Sequence, residues 1–282
     1  MKPELQNTLG IYEKALLCDI TWDAKLQAAQ EAGYDFIELS IDESPQRMAR
    51  LDWTQRQRDA FNRAVEQSEI SIPMMALTSL RKFPLGSIDD SIRQRSLEIV
   101  ADAVRFAADT GISVIQLAGY DVFYEDSSEK TRSRFLAGVE QSLTLAESVG
   151  VILSLEVMDI EYTSSVARLT EIVRSFDSPR LRVYADFGNI CAWGGDLASD
   201  LEAGKGYLMG VHVKDSLPNT FRRVPFGEGI VDFQAGFRKL REMQYDGPFS
   251  IEMWCDESPN YRQTMTDARE WIVKQMAQDD RF

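Results

Sequence analysis

Residues 91–119 read "SIRQRSLEIVADAVRFAADTGISVIQLAG". The part from Ser91 to Gly111 has helical periodicity and stops at glycine, a common residue just past a helix C-terminus. The part from Val114 to Gly119 is short and β-rich, which predicts a strand. Only Ile112 and Ser113 lie between them. A helix running straight into a strand is the repeating half of a β–α–β chain.

The same unit recurs on both sides of this stretch. Strands are predicted at "LGIY" (9–12), "FIELS" (36–40), "SIPMMAL" (71–77), "VILSLEVM" (151–158), "LRVYAD" (181–186), "LMGVHVK" (208–214) and "PFSIEMW" (248–254). Helices are predicted between them, as in "TWDAKLQAAQEAG" (21–33), "TRSRFLAGVEQSLTLAESVG" (131–150) and "DFQAGFRKLREMQYDG" (232–247). The first of these opens at Thr21, a capping-type residue. Strict alternation demands parallel strands joined by crossover helices. Eight such units in 282 residues predict an α/β fold, one closed (β/α)₈ TIM barrel over residues 1–282. The rival is an open doubly wound sheet. No GxGxxG follows the first strand, which weakens its dinucleotide-binding form. The Pro- and Gly-containing stretches read as single turns, so no interdomain linker is expected.

The chain carries 31 Lys and Arg against 45 Asp and Glu, a net charge of -14. That excess repels phosphate backbones and anionic membranes, so neither nucleic acid nor a membrane is an expected partner. Cys18, Cys191 and Cys255 form no CxxC pair and no disulfide framework. The start "MKPELQNTLG" lacks the apolar centre of a signal peptide, and no apolar run is long enough to span a bilayer. The expected compartment is reducing and cytoplasmic.

The only histidine is His212, inside "LMGVHVKD". A lone histidine in an apolar run is more often a hydrogen-bonded core residue than a ligand. Its neighbours in the fold change that reading. Side chains alternate along a strand. Glu156 therefore shares a face with Ser154, Asp186 with Tyr184, His212 with Gly210 and Lys214, and Glu252 with Ser250 and Trp254. Each lies near the C-terminal end of its strand, on the face away from the helices. In a barrel all four converge at the catalytic mouth. Three carboxylates at close range would force protons onto some of them. One divalent metal resolves the conflict, and oxygen and nitrogen donors suit Mn²⁺, Zn²⁺, Co²⁺ or Mg²⁺.

At this point the sequence resembles a known family. "LGIYEKAL", "RLDW", "FPLGS", "IQLAGYDVFYE", "EVMD", "DFGNICAWG", "HVKD", "VPFGEGIVDF" and "IEMW" look like the L-xylulose 5-phosphate 3-epimerases, also described as L-ribulose 5-phosphate 3-epimerases or hexulose-phosphate isomerase-like proteins. These act in L-ascorbate and pentose catabolism and belong to the xylose-isomerase-like TIM-barrel superfamily. The resemblance runs from about Leu9 to the last helix. It implies that Glu156, Asp186, His212 and Glu252 hold the metal, and that Glu156 and Glu252 are the acid–base pair. The implied reaction interconverts L-xylulose 5-phosphate and L-ribulose 5-phosphate. A proton leaves C3 to give a metal-bound cis-enediolate and returns on the opposite face. The expected partners are a small sugar phosphate and a second copy of the chain, as a homodimer.

Tyr12 and Glu38, at the ends of early strands, are candidates for sugar hydroxyls. Asn189 and Lys214 follow metal ligands and are candidates for the substrate. Arg81 and Lys82 in "SLRKFPLGS", and Arg222 and Arg223 in the glycine-containing loop "TFRRVPFGEG", are candidate phosphate or hydroxyl partners. The chain departs from its relatives at Leu80, where they carry histidine, at Ala185, where they carry proline, and at Ser164–Ser165, where they tend to carry Asn-Ser. These positions are expected near the mouth and bear on substrate identity. The alternatives are another ketose, phosphorylated or free, a metal-dependent endonuclease on a related barrel, and a non-catalytic sugar-binding barrel. One histidine and an acidic charge count against the endonuclease.

Overall fold

A computed structural model describes residues 8–255 and 258–277. Among the described residues there are ten strands, with helices between all but β7, β8 and β9: β1 (Leu9–Tyr12), β2 (Phe36–Ser40), β3 (Met74–Leu77), β4 (Val114–Ala118), β5 (Ile152–Glu156), β6 (Leu181–Asp186), β7 (Leu208–Val213), β8 (Asp215–Leu217), β9 (Thr220–Val224) and β10 (Phe249–Ile251). Eight of them close a barrel in the order β1-β10-β7-β6-β5-β4-β3-β2, and their neighbours are parallel. Every predicted strand is present. The stretch read as a loop after Lys214 differs, because β8 and β9 pair there as an antiparallel hairpin. No helix among the described residues is long and apolar enough to cross a membrane.

Local signals account for the helix ends. The Thr21 side chain accepts a hydrogen bond from the Ala24 N–H at 3.3 Å and opens the helix Trp22–Glu31. Gly111 and Gly150 close the helices Asp90–Thr110 and Glu129–Val149 at φ +73° and +80°, backbone that favours glycine.

The apolar core has two parts. The larger lies between the strands and the helices and takes the outward residues, such as Leu153, Leu155 and Val157 on and just past β5. The smaller plugs the barrel's inside with Phe36, Met74, Val114 and Tyr184. Burying each of these contributes roughly 1.5–3 kcal/mol. Gly10 and Gly210 make room for this plug, since a Cβ at either would overlap the Phe36 or Tyr184 ring. The plug fills one end of the barrel, so polar inward residues gather at the other. Register places them at similar height: Asp186 pairs with His212, and His212 with Ser250. Glu252 follows β10, and its N–H donates to the Val213 carbonyl at 3.0 Å.

Candidate active site

Each member of the site sits where a strand runs out. Glu156 and Asp186 are the last residues of β5 and β6. Asp186 also caps the helix Phe187–Ala192, its Oδ1 accepting from the Asn189 N–H at 2.9 Å. That cap fixes the carboxylate and leaves Oδ2 for the cluster. Glu156 accepts a close hydrogen bond from Gln116 Nε2 on β4. Glu156, Asp186 and His212 are buried, and the Glu252 side chain is 11% exposed.

One donor atom from each of Glu156, Asp186, His212 and Glu252 lies within 4.8 Å of the others. His212 Nδ1 is 2.7 Å from Glu156 Oε1, and His212 Nε2 is 2.6 Å from Glu38 Oε2. Lys214 Nζ bridges Asp186 Oδ2 at 2.7 Å and Glu252 Oε2 at 2.6 Å. The Lys214 stem is held against Gly188, where a Cβ would stand 2.5 Å from Lys214 Cγ.

The electrostatics are those of an acid-rich enclosure. Burial pushes the Asp186 carboxyl up to about 7; Glu252 and Glu156 add to this and Lys214 opposes it. Burial also works against ionised Glu252, but Lys214 and His212 overcome it and hold that carboxyl down at about 2. Burial disfavours imidazolium at His212, yet Glu38, Glu156 and Glu252 outweigh it and raise the group well above its usual value. Four buried carboxyl groups thus face one imidazole and one ammonium. The donors are oxygen and nitrogen with no thiolate among them. This set fits a hard or borderline divalent cation.

The structure gathers most, but not all, of the residues singled out in the sequence. Tyr12, Arg81, Asn189, Lys214 and Arg222 line one recess with Glu156 and Glu252. Asn189 donates to the Val157 carbonyl at 2.7 Å, and the Tyr12 hydroxyl lies 3.0 Å from Ser40 Oγ. Glu38 is elsewhere. It is fully buried behind His212, so it meets the imidazole and not the recess. Arg223 is also elsewhere: at φ +60° it turns away from Arg222 and lines a neighbouring hollow beside Trp254 and Phe226. Lys82 is exposed beside the Phe83 ring. Leu80 is 1% exposed and belongs to the main apolar core, so its side chain packs where a mouth position was expected.

Sequence reasoning passed over Gln116 and Lys14. Gln116 had a signal, since it is the one polar residue in "VIQLA" and faces the axis as Glu156 does. Lys14 had none: it lies in a 3-10 turn after β1, and only the fold brings it to the recess, paired with Asp42 at 2.7 Å. A polar network rims the opposite wall. The Tyr120 hydroxyl donates to Asp159 Oδ1 at 2.7 Å, Arg222 Nη2 reaches Asp159 Oδ2 at 2.8 Å, and Arg81 Nη2 reaches the Tyr120 oxygen at 3.2 Å.

A parallel barrel with this cluster at its mouth defines a class of protein, and the match is direct. Residues 26–275 fit the xylose isomerase-like TIM barrel family, and the chain belongs to it. Within it, the chain is 43% identical over 272 residues to the L-ribulose-5-phosphate 3-epimerase UlaE of Salmonella heidelberg (strain SL476), covering 96% of each. Among solved structures, D-psicose 3-epimerase with D-tagatose from Clostridium cellulolyticum H10 superposes with a TM-score of 0.80 at 14% identity, covering 95% of this chain and 99% of that one. An L-ribulose 3-epimerase superposes with a TM-score of 0.78 at 17% identity, covering 96% and 94%. At such identities these two structures establish the shared fold.

Proposed function

We propose that this barrel is a divalent-metal-dependent isomerase that inverts C3 of a ketopentose phosphate, interconverting L-xylulose 5-phosphate and L-ribulose 5-phosphate. The observation that carries the reading is the pair Glu156 and Glu252 in one recess, with β6 and β7 between their strands. Inversion needs a base on each side of a planar intermediate, and two carboxylates on separated strands meet that need. Glu156, Asp186, His212 and Glu252 would hold the metal. A bound divalent cation supplies Lewis acidity toward the oxygens of the ketose.

The chain's own groups do the rest. The C3 hydrogen is acidic because the C2 carbonyl accepts the charge. One glutamate takes the proton and the other returns one to the opposite face. Gln116 fixes the Glu156 carboxylate by its hydrogen bond, and Lys214 fixes Glu252. Tyr12 and Asn189 are placed to meet sugar hydroxyls. Lys14, Arg81 and Arg222 line the recess and offer cations to the phosphate end. We expect a cytoplasmic compartment and a homodimer, and sedimentation of the purified protein checks the second.

The test is turnover in D₂O. Solvent deuterium is expected at C3 of the inverted product, and Glu156→Gln or Glu252→Gln should each cut turnover by about 10²–10⁴-fold. Unlabelled product would rule out proton transfer with solvent-exchanging bases. A second reading, a free ketose, draws on one observation: Arg222 is already paired with Asp159. Comparing kcat/KM for L-xylulose 5-phosphate and L-xylulose separates the two, with a strong preference for the phosphorylated sugar expected.

A further inference from the structure

Asp215 follows Lys214 but has no part in the cluster. Its side chain is 2% exposed and faces away from the recess. Its Oδ2 accepts from the Gly227 N–H at 2.9 Å and the Gly229 N–H at 3.0 Å. Its Oδ1 accepts from the Ser216 N–H at 2.9 Å and the Val231 N–H at 3.3 Å. A buried carboxylate can thus be satisfied by backbone amides alone, and here three of the four amides come from one returning loop. The loop is shaped for it. Gly227 has φ +86°, and a Cβ on Gly229 would collide with the Asp215 carboxylate.

What this anchor holds is the hairpin β8–β9. Asp215 pairs with Val224 at the hairpin's base, and the loop from Pro225 leads back to Val231, so one carboxylate closes both ends of the excursion. Arg222 lies on β9 between the two ends and reaches across the recess to Asp159. We infer that Asp215 is a positioning residue. It sets the height and tilt of the hairpin over the barrel mouth and thereby places the Arg222 guanidinium on the substrate's distal end. This rests on the reading of Arg222 as a substrate contact.

The test uses Asp215→Asn, Arg222→Ala and the double variant of the full-length, metal-loaded protein. An Asn at 215 offers one acceptor and turns an N–H₂ toward the loop amides. In hydrogen exchange, Asp215→Asn should speed exchange in the segment 225–231 at least about tenfold and leave the barrel strands unchanged. In kinetics with L-ribulose 5-phosphate, it should raise KM about tenfold and leave kcat within about threefold, as loss of a binding contact does. The double variant should match Arg222→Ala alone, since a residue acting through Arg222 has nothing further to lose. Additive losses, or an unchanged KM, would overturn the inference. If Asp215→Asn does not fold, Gly229→Ala crowds the same carboxylate from the loop side and should give the same KM effect. A wild type that turns over no sugar phosphate would defeat the proposed function, while unchanged exchange at 225–231 would defeat the anchor by itself.

Discussion

Two buried charge clusters flank the mouth of this barrel, and they are built on opposite principles. At the N-terminal side Glu13 is fully buried, with Lys25 Nζ at 2.5 Å and the Arg50 nitrogens Nη1 and Nη2 at 2.5 and 2.7 Å. The Ser40 N–H donates to it at 3.0 Å. Both carboxylate oxygens are doubly satisfied, and the Trp22 ring lies 4.8 Å from Lys25 Nζ. At the C-terminal side Glu156, Asp186, Glu252 and Glu38 share only His212 and Lys214. The first cluster is closed on itself and has a cation to spare. The second has acids to spare. A closed cluster staples loops together, whereas an open, acid-rich one is a seat for a cation.

Removing the hub of the closed cluster should have the largest effect. Glu13→Gln leaves two buried cations without their anion and should cost about 3–5 kcal/mol of folding stability. Urea or thermal unfolding measures it, and the metal content of the folded fraction should stay at the wild-type level. Metal loss in step with the stability loss would mean that the two clusters are one unit.

A gentler change in the open cluster should do the reverse. Glu38→Gln replaces the carboxylate behind His212 with a neutral amide and should lower divalent-metal affinity about 10–100-fold, with little change in unfolding of the metal-free protein. Titration calorimetry reads the affinity directly. An unaltered affinity would demote Glu38 to a packing residue.

Acid sharpens the contrast further, with the smallest effect. Burial works against ionised Glu13, but Arg50 and Lys25 overcome it and hold the carboxyl well below the usual range. A carboxylate depressed in the folded state stabilises above its unfolded pKa of about 4.3 and loses that stability as pH falls. Between pH 5 and pH 3 the loss attributable to Glu13 should reach about 1–2 kcal/mol. Glu13→Gln should flatten that part of the stability–pH curve. An equal slope in the variant would assign the acid sensitivity elsewhere.

The residues that were legible before folding share one property: a local rule decides them. Strand alternation has a period of two, so Glu156, Asp186, His212 and Glu252 were placed on the inward face without any tertiary information. The helix–strand alternation around Ser91–Gly119 likewise needs only periodicity and glycine stops to imply a parallel barrel. Glu38 obeyed the same alternation and was still misjudged. Facing the axis does not set depth, and depth follows from strand tilt and stagger around the closed sheet. Leu80 failed for the related reason that a 3-10 turn after β3 rotates it into the core.

Face, and the type of the barrel strands and the helices between them, were therefore written in the chain, because both depend on residues a few positions apart; the β8–β9 hairpin was not. The tertiary structure alone decided which inward residues meet. Lys14 reaches the recess only through the turn after β1, Lys214 finds two carboxylates on other strands, and Asp215 gathers amides up to Val231. Each of these contacts joins residues that no period along a single strand or helix brings together. Distance in space, unlike periodicity along a strand, is a property of the whole sheet.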